Sequence, residues 1–188
     1  ASVTANEASG EVRRLASSYK AKAEYPSTSL GRNMQVIAGL ISGGLKTRVY
    51  WTSIGGFDTH RGQRQRHDLL MTQINDAIFA FQRDLTQQGK ADRVLTLTMS
   101  EFGRRVQENG SEGTDHGAAA SMFLFGPKLR PGIHGEHPSL TDLQGGGGGS
   151  LKHTTDFRSV YGTILDQWLG VSSAAVLGEQ FSPVELLT

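Results

Sequence analysis

Between Gln63 and Gln88 the chain carries a long amphipathic pattern, with Leu70, Ile74, Ala77, Ile78, Phe81 and Leu85 at helical spacing. Gly89 stops it. A β-branched apolar run lies on either side: Arg48 to Ile54 (RVYWTSI) before it and Arg93 to Ser100 (RVLTLTMS) after it. Strand, long helix, strand is a βαβ pattern, which implies parallel strands in one sheet covered by helices. The expected fold class is therefore α/β, a mostly parallel sheet flanked by helices. Ligand sites of such sheets lie beyond the carboxyl ends of the strands. Asp58, His60 and Glu101 all fall just past the ends of the two runs.

The remaining segments fill in around that frame. Ala1 to Gly10 is small and polar, carries no signal-peptide pattern and reads as disordered. Glu11 to Ala23 is a weakly periodic helix broken at Tyr25-Pro26, so residues 1–29 form a flexible or weakly helical segment ahead of a domain spanning 30–188. Leu30 to Ile41 has helical spacing and ends at Gly43-Gly44. Ala118 to Phe125 is a third apolar run, and residues 128–150 are rich in glycine and proline. Thr155 to Leu169 fits a helix with Phe157, Val160, Tyr161, Ile164, Leu165 and Trp168 on one face, and Thr154 or Thr155 as its cap. Five of the chain's 24 glycines run from Gly145 to Gly149 ahead of Ser150, which reads as a flexible linker or loop at 144–150, natural or inserted.

Composition excludes several function classes. In 188 residues the formal net charge is +1, which gives no reason to expect nucleic acid or an anionic membrane as partner. No apolar run reaches the roughly 20 residues that span a bilayer. There is no cysteine, so any metal must sit on nitrogen and oxygen ligands.

Two short motifs supply such ligands. Gly55-Gly56-Phe57-Asp58-Thr59-His60 offers a carboxylate and an imidazole two residues apart, on one side of an extended segment. Gly113-Thr114-Asp115-His116-Gly117 repeats the pair between glycines that permit close approach of backbone to a metal or an anion. Asp115 is a ligand, a turn residue or a group that orients His116. His67, two helical turns beyond His60, stands behind a metal rather than on it. Against the metal reading, Asp58 or Thr59 is also the residue type that caps the following helix. Glu101 equally suits an ion pair with Arg104 or Arg105, and His153 either caps the last helix or lines a site. His134 and His137 fall in a Gly/Pro loop and read as solvated.

The order GGFDTH, LTMSEFGRR, ENGSEGTDHG and LKHTTDFRSVYGTILDQWLG resembles the exported bacterial family called domain of unknown function fifteen-zero-one, from about Leu30 onward. That resemblance implies membership of the alkaline phosphatase and sulfatase superfamily and a periplasmic or extracellular location. It also implies a longer protein of which this is the C-terminal portion, so a missing N-terminal part or self-association completes it. By similarity Asp58, His60 and His116 bind one divalent metal, with zinc foremost, although the Asp and His stand closer together here than in the phosphatases. Glu101 matches a second-site carboxylate and is the catalytic candidate, as ligand or general base. The next position is a histidine in the phosphatases and is Phe102 here, which cannot ligate. Asp115, His67, Arg104 and His153 surround the metal or meet substrate.

Two functions follow from the resemblance. One is metal-dependent hydrolysis of a small anionic phosphate or sulfate ester, for which no nucleophile is recognisable in residues 1–30. The other is a non-catalytic binding or structural protein of the envelope with a degenerate metal site.

Overall fold

The computed structural model describes residues 2–145 and 149–188, and the backbone alone for residues 2–8. The chain divides into two compact units, Ala1–Val94 and Leu95–Thr188.

The first unit is helical. Helix α1 spans Ser2–Ser18, α2 spans Ser29–Ser42 and α3 spans Gln63–Gln87, followed by a 3₁₀ turn at Ala91–Arg93. The N-terminal residues read as disordered from composition therefore belong to a helix. Thr28 caps α2 by accepting from the Gly31 amide at 3.1 Å. The buried stripe of α2 (Leu30, Met34, Ala38, Leu40) packs on that of α3 (Leu70, Ala77, Ile78, Phe81, Leu85). Gly39 and Gly43 let α1 close in: a side chain at Gly39 would run into the Tyr19 ring and one at Gly43 into Leu15. At the far end of α3 the Lys90 amide reaches back to the Leu85 carbonyl at 2.8 Å, with Gly89 at φ 65° making the turn.

The run from Arg48 to Ile54 does not form a strand. From Val49 to Ile54 its residues alternate between exposed and half-buried, the period of a strand, and the Asn33 amide donates to the Thr52 hydroxyl at 3.1 Å. A strand also needs a partner backbone, and the elements of the first unit are helices.

The second unit holds three pairs of two-residue strands, all antiparallel. β1 (Thr96–Leu97) pairs with β4 (Leu124–Phe125), β2 (Gly103–Arg104) with β3 (His116–Gly117), and β5 (Leu143–Gln144) with β6 (Ser150–Leu151). Of the glycine run joining β5 to β6, residues 146–148 lie outside the described residues. Helix α4 (Phe157–Thr163) continues into a π turn at Ile164–Trp168, and α5 (Ser173–Leu177) follows. Asp156, not Thr154 or Thr155, caps α4, accepting from the Arg158 amide at 2.8 Å.

The expected mostly parallel sheet flanked by helices is thus overturned. Apart from short antiparallel pairs the described chain is helix and loop. The apolar run from Arg93 contributes only Thr96 and Leu97 to a ladder, and the run to Phe125 contributes only Leu124 and Phe125. The loop-rich stretch between them returns the chain as a hairpin-like excursion, which dictates antiparallel pairing instead of a crossover.

Candidate metal centre

In the first unit the ligand motif is a turn pinned from below. Thr59 is buried, and its hydroxyl lies 2.9 Å from His67 Nε2 on α3. The Phe57 ring meets the His67 ring edge-on at 5.2 Å. The Thr59 amide donates to the Phe57 carbonyl at 2.9 Å, closing the turn. With Phe57 and Thr59 directed at α3, alternation leaves Asp58 and His60 outward. Their side chains stay 62% and 49% exposed, with Asp58 Oδ1 3.0 Å from His60 Nε2. Gly56, at φ 102°, admits the Arg66 guanidinium to within 2.7 Å of where a side chain would begin.

Neither Asp58 nor Thr59 caps α3. That helix begins at Gln63 behind Gly62, which holds a left-handed conformation, and no side chain caps it. His67 likewise faces the turn: its Nε2 is shared between Thr59 Oγ1 and Gln63 Nε2, the latter at 3.3 Å.

In the second unit the β2–β3 pair presents the other motif. The register sets Arg104 opposite His116 and Gly103 opposite Gly117. Gly103 is buried, and a side chain there would strike the Ala119 carbonyl oxygen at 1.7 Å. The glycines therefore allow close backbone packing beneath the pair, while Phe102, Arg104 and His116 share its other face. The Phe102 and His116 rings stack with centroids 3.9 Å apart and planes 6° from parallel. Arg104 lies over the Phe102 ring at 5.0 Å and donates to the Thr114 carbonyl.

The turn that carries His116 is fixed by Asn109, whose side-chain oxygen accepts from the amides of Ser111 at 2.9 Å and Gly113 at 3.2 Å. Asp115 sits 3.9 Å from Arg105, an exposed pair that contributes little to stability. Glu101 is exposed in the bend after β1. His153 is exposed before α4; the side-chain and backbone hydrogen bonds of Arg158 hold the neighbouring Asp156 carboxyl down at about 2.

The family described as "Protein of unknown function (DUF1501)" matches residues 3–171. The chain belongs to this family. The DUF1501 match starts inside α1, ahead of Leu30, and covers both the Asp58–His60 and the Asp115–His116 motifs. No curated protein and no solved structure matches the chain. Sequence reasoning passed over Thr59 as a support and took Phe102 only as a lost ligand. The alternation of Phe57 to His60 was the available signal for the first, and the place of Phe102 two residues before Arg104 for the second.

Proposed function

We propose that this DUF1501 protein binds one divalent cation, zinc foremost, through Asp58, His60 and His116. The observation that carries the reading is the outward Asp58–His60 pair on a turn pinned by Thr59. Two atoms on a tetrahedral zinc, each about 2.0–2.2 Å from it, stand about 3.3 Å apart. The 3.0 Å between Asp58 Oδ1 and His60 Nε2 fits that separation. All three side chains are exposed, and each offers one ligand atom. With no cysteine in the chain, a nitrogen and oxygen set is also the one its composition allows.

A bound cation of this kind polarises a phosphoryl or sulfuryl oxygen and lowers the pKa of a coordinated water. Hydrolysis of a small anionic phosphate or sulfate ester is the reaction class that follows. Glu101 then serves as the general base, and Arg104 attracts the anion. The resemblance of the motif order to exported alkaline-phosphatase-like proteins is the support for this chemistry and for a periplasmic or extracellular location. The presence of Phe102 where such enzymes place a second-site histidine favours a second reading, a non-catalytic binding protein of the envelope. The test has two readouts. Metal analysis of untagged, dialysed protein gives about one zinc-class ion per chain, lost in His60→Ala and His116→Ala. Turnover of aryl phosphates and sulfates then separates the readings, since metal-dependent hydrolysis at ordinary enzyme rates excludes the non-catalytic one.

A further inference from the structure

We propose that Phe102 is a positioning residue that fixes the plane of the His116 imidazole, and so the direction in which its nitrogen meets a cation. The proposal rests on the metal-binding reading of His116. Phe102 flanks β2 on the same face as Arg104, diagonal to His116 across the β2–β3 register. Its ring covers one face of the imidazole, 3.9 Å away and 6° from parallel. A cation approaches a histidine nitrogen in the plane of the ring, along the lone pair, so covering the face leaves ligation open. What the stack removes is rotation of the imidazole about its bond to Cβ. Restricting that rotation before binding lowers the ordering cost of taking up the ion. Gly103, buried between Phe102 and Arg104 in sequence, faces the Ala119 backbone on the opposite side of the β2–β3 pair. Arg104 closes over the phenyl ring at 5.0 Å and confines it in turn. Phe102 neither ligates nor titrates, so it acts on a cation through the side chains it packs against, and His116 is the one among them that ligates.

The experiment compares Phe102→Leu, which keeps apolar bulk without a ring, with Phe102→Tyr, which keeps the ring. In metal-free protein with ¹³C-labelled histidine, the His116 ring-proton signals are assigned by their loss in His116→Ala. They are shifted upfield by the phenyl ring in the native chain. Phe102→Leu moves them to ordinary positions and Phe102→Tyr retains the shift. Zinc titration gives roughly three- to tenfold weaker binding for Phe102→Leu and near-native binding for Phe102→Tyr. Should Phe102→Leu lose its fold, as judged by circular dichroism, Phe102→Met takes its place. Native affinity in a folded ring-less variant overturns the proposal, as does a His116 signal indifferent to residue 102. The failure of the underlying reading looks different: His116→Ala then binds zinc as the native chain does, while the ring shift still reports the stack.

Discussion

Asp84 in α3 is the substitution with the largest expected effect on the first unit. Its side chain is fully buried, yet four donors meet it. Tyr19 Oη donates at 2.6 Å and Tyr25 Oη at 2.9 Å to one carboxylate oxygen. The Lys22 amide and Gln88 Nε2, both at 2.9 Å, donate to the other. Residues 19–25 are thereby tied to the end of α3 through one carboxylate. Asp84→Ala leaves those donors without their acceptor in a region with little water. Breaking a buried charged network costs on the order of 3–5 kcal/mol. For a chain of this length that lowers the melting temperature by about 6–20 °C. Asp84→Asn retains the shape, and the tyrosine hydroxyls can turn to accept from its amide, so about 1–2 kcal/mol is expected. Urea or thermal unfolding of the two variants beside the native chain measures both. A loss below about 1 kcal/mol for Asp84→Ala would refute the tie, since it would mean that the donors find other partners.

The same node sets an alkaline limit. Burial, and then the hydrogen bond and charge of Asp84, hold the hydroxyls of Tyr19 and Tyr25 above the usual tyrosine range. A group whose value rises on folding stabilises fully below its unfolded value, here about pH 10, and that contribution is lost as pH climbs toward the folded value. Stability should therefore fall above about pH 10, less steeply in Asp84→Ala than in the native chain. Equal slopes would show that Asp84 does not govern the two phenols.

Other positions give compact tests. Gly103→Ala forces a methyl group against the Ala119 carbonyl oxygen, and should cost about 3 kcal/mol or more, whereas Gly110→Ala, whose methyl group would meet nothing within 4 Å beyond its chain neighbours, should cost under about 1 kcal/mol by denaturant titration. Asp156→Ala removes the α4 cap and should cost about 1 kcal/mol at neutral pH. Because the Asp156 carboxyl is held down at about 2, its contribution is present above the ordinary carboxylate range and disappears as pH falls through 2; an acid titration of Asp156→Ala matching the native chain would contradict this. Asp58→Ala should weaken zinc binding while leaving the melting temperature of metal-free protein within about 2 °C, because the side chain is exposed and caps no helix. A large thermal loss would assign Asp58 a structural role instead.

The helices were legible because burial follows spacing. Leu70, Ala77, Ile78, Phe81 and Leu85 recur on one face of α3, and that is the face α2 covers. The strands were not, because a strand is a relation between two segments and periodicity describes only one. Val49 to Ile54 keeps the alternation of a strand without a ladder, while Thr96 and Leu97 find a partner only in the hairpin-like return at Leu124. The βαβ inference took two good single-segment signals and added a pairing that neither segment encodes. The outward placement of Asp58 and His60 differs, since its information is local: the pair needs only a neighbour, Thr59, that prefers to be inside. What sequence could not supply was the supporting layer. Thr59 on His67 and Phe102 on His116 each join residues separated in the chain, and no spacing rule relates them.

That supporting layer separates folding from binding in both units. In the first, Thr59 turns inward and its hydroxyl meets α3, and Asp58 and His60 on either side face water. In the second, the glycines of β2 and β3 bring backbones together underneath, and the side chains above them pack on one another instead of on that layer. An exposed carboxylate or imidazole contributes little to a core, so the core sets little about which residues stand at 58, 60 and 116. The cost falls on the residues beneath. Thr59 must be small, hydroxylated and buried, and Gly103 cannot carry any side chain. Loss of the hydroxyl in Thr59→Val should therefore disturb cation binding by releasing the turn, although no donor atom has been removed. Asp58→Ala should do so by removing a donor while the turn stays closed. Hydrogen exchange at the Thr59 amide, which donates to Phe57, tells the two apart: it quickens in the first variant and holds in the second.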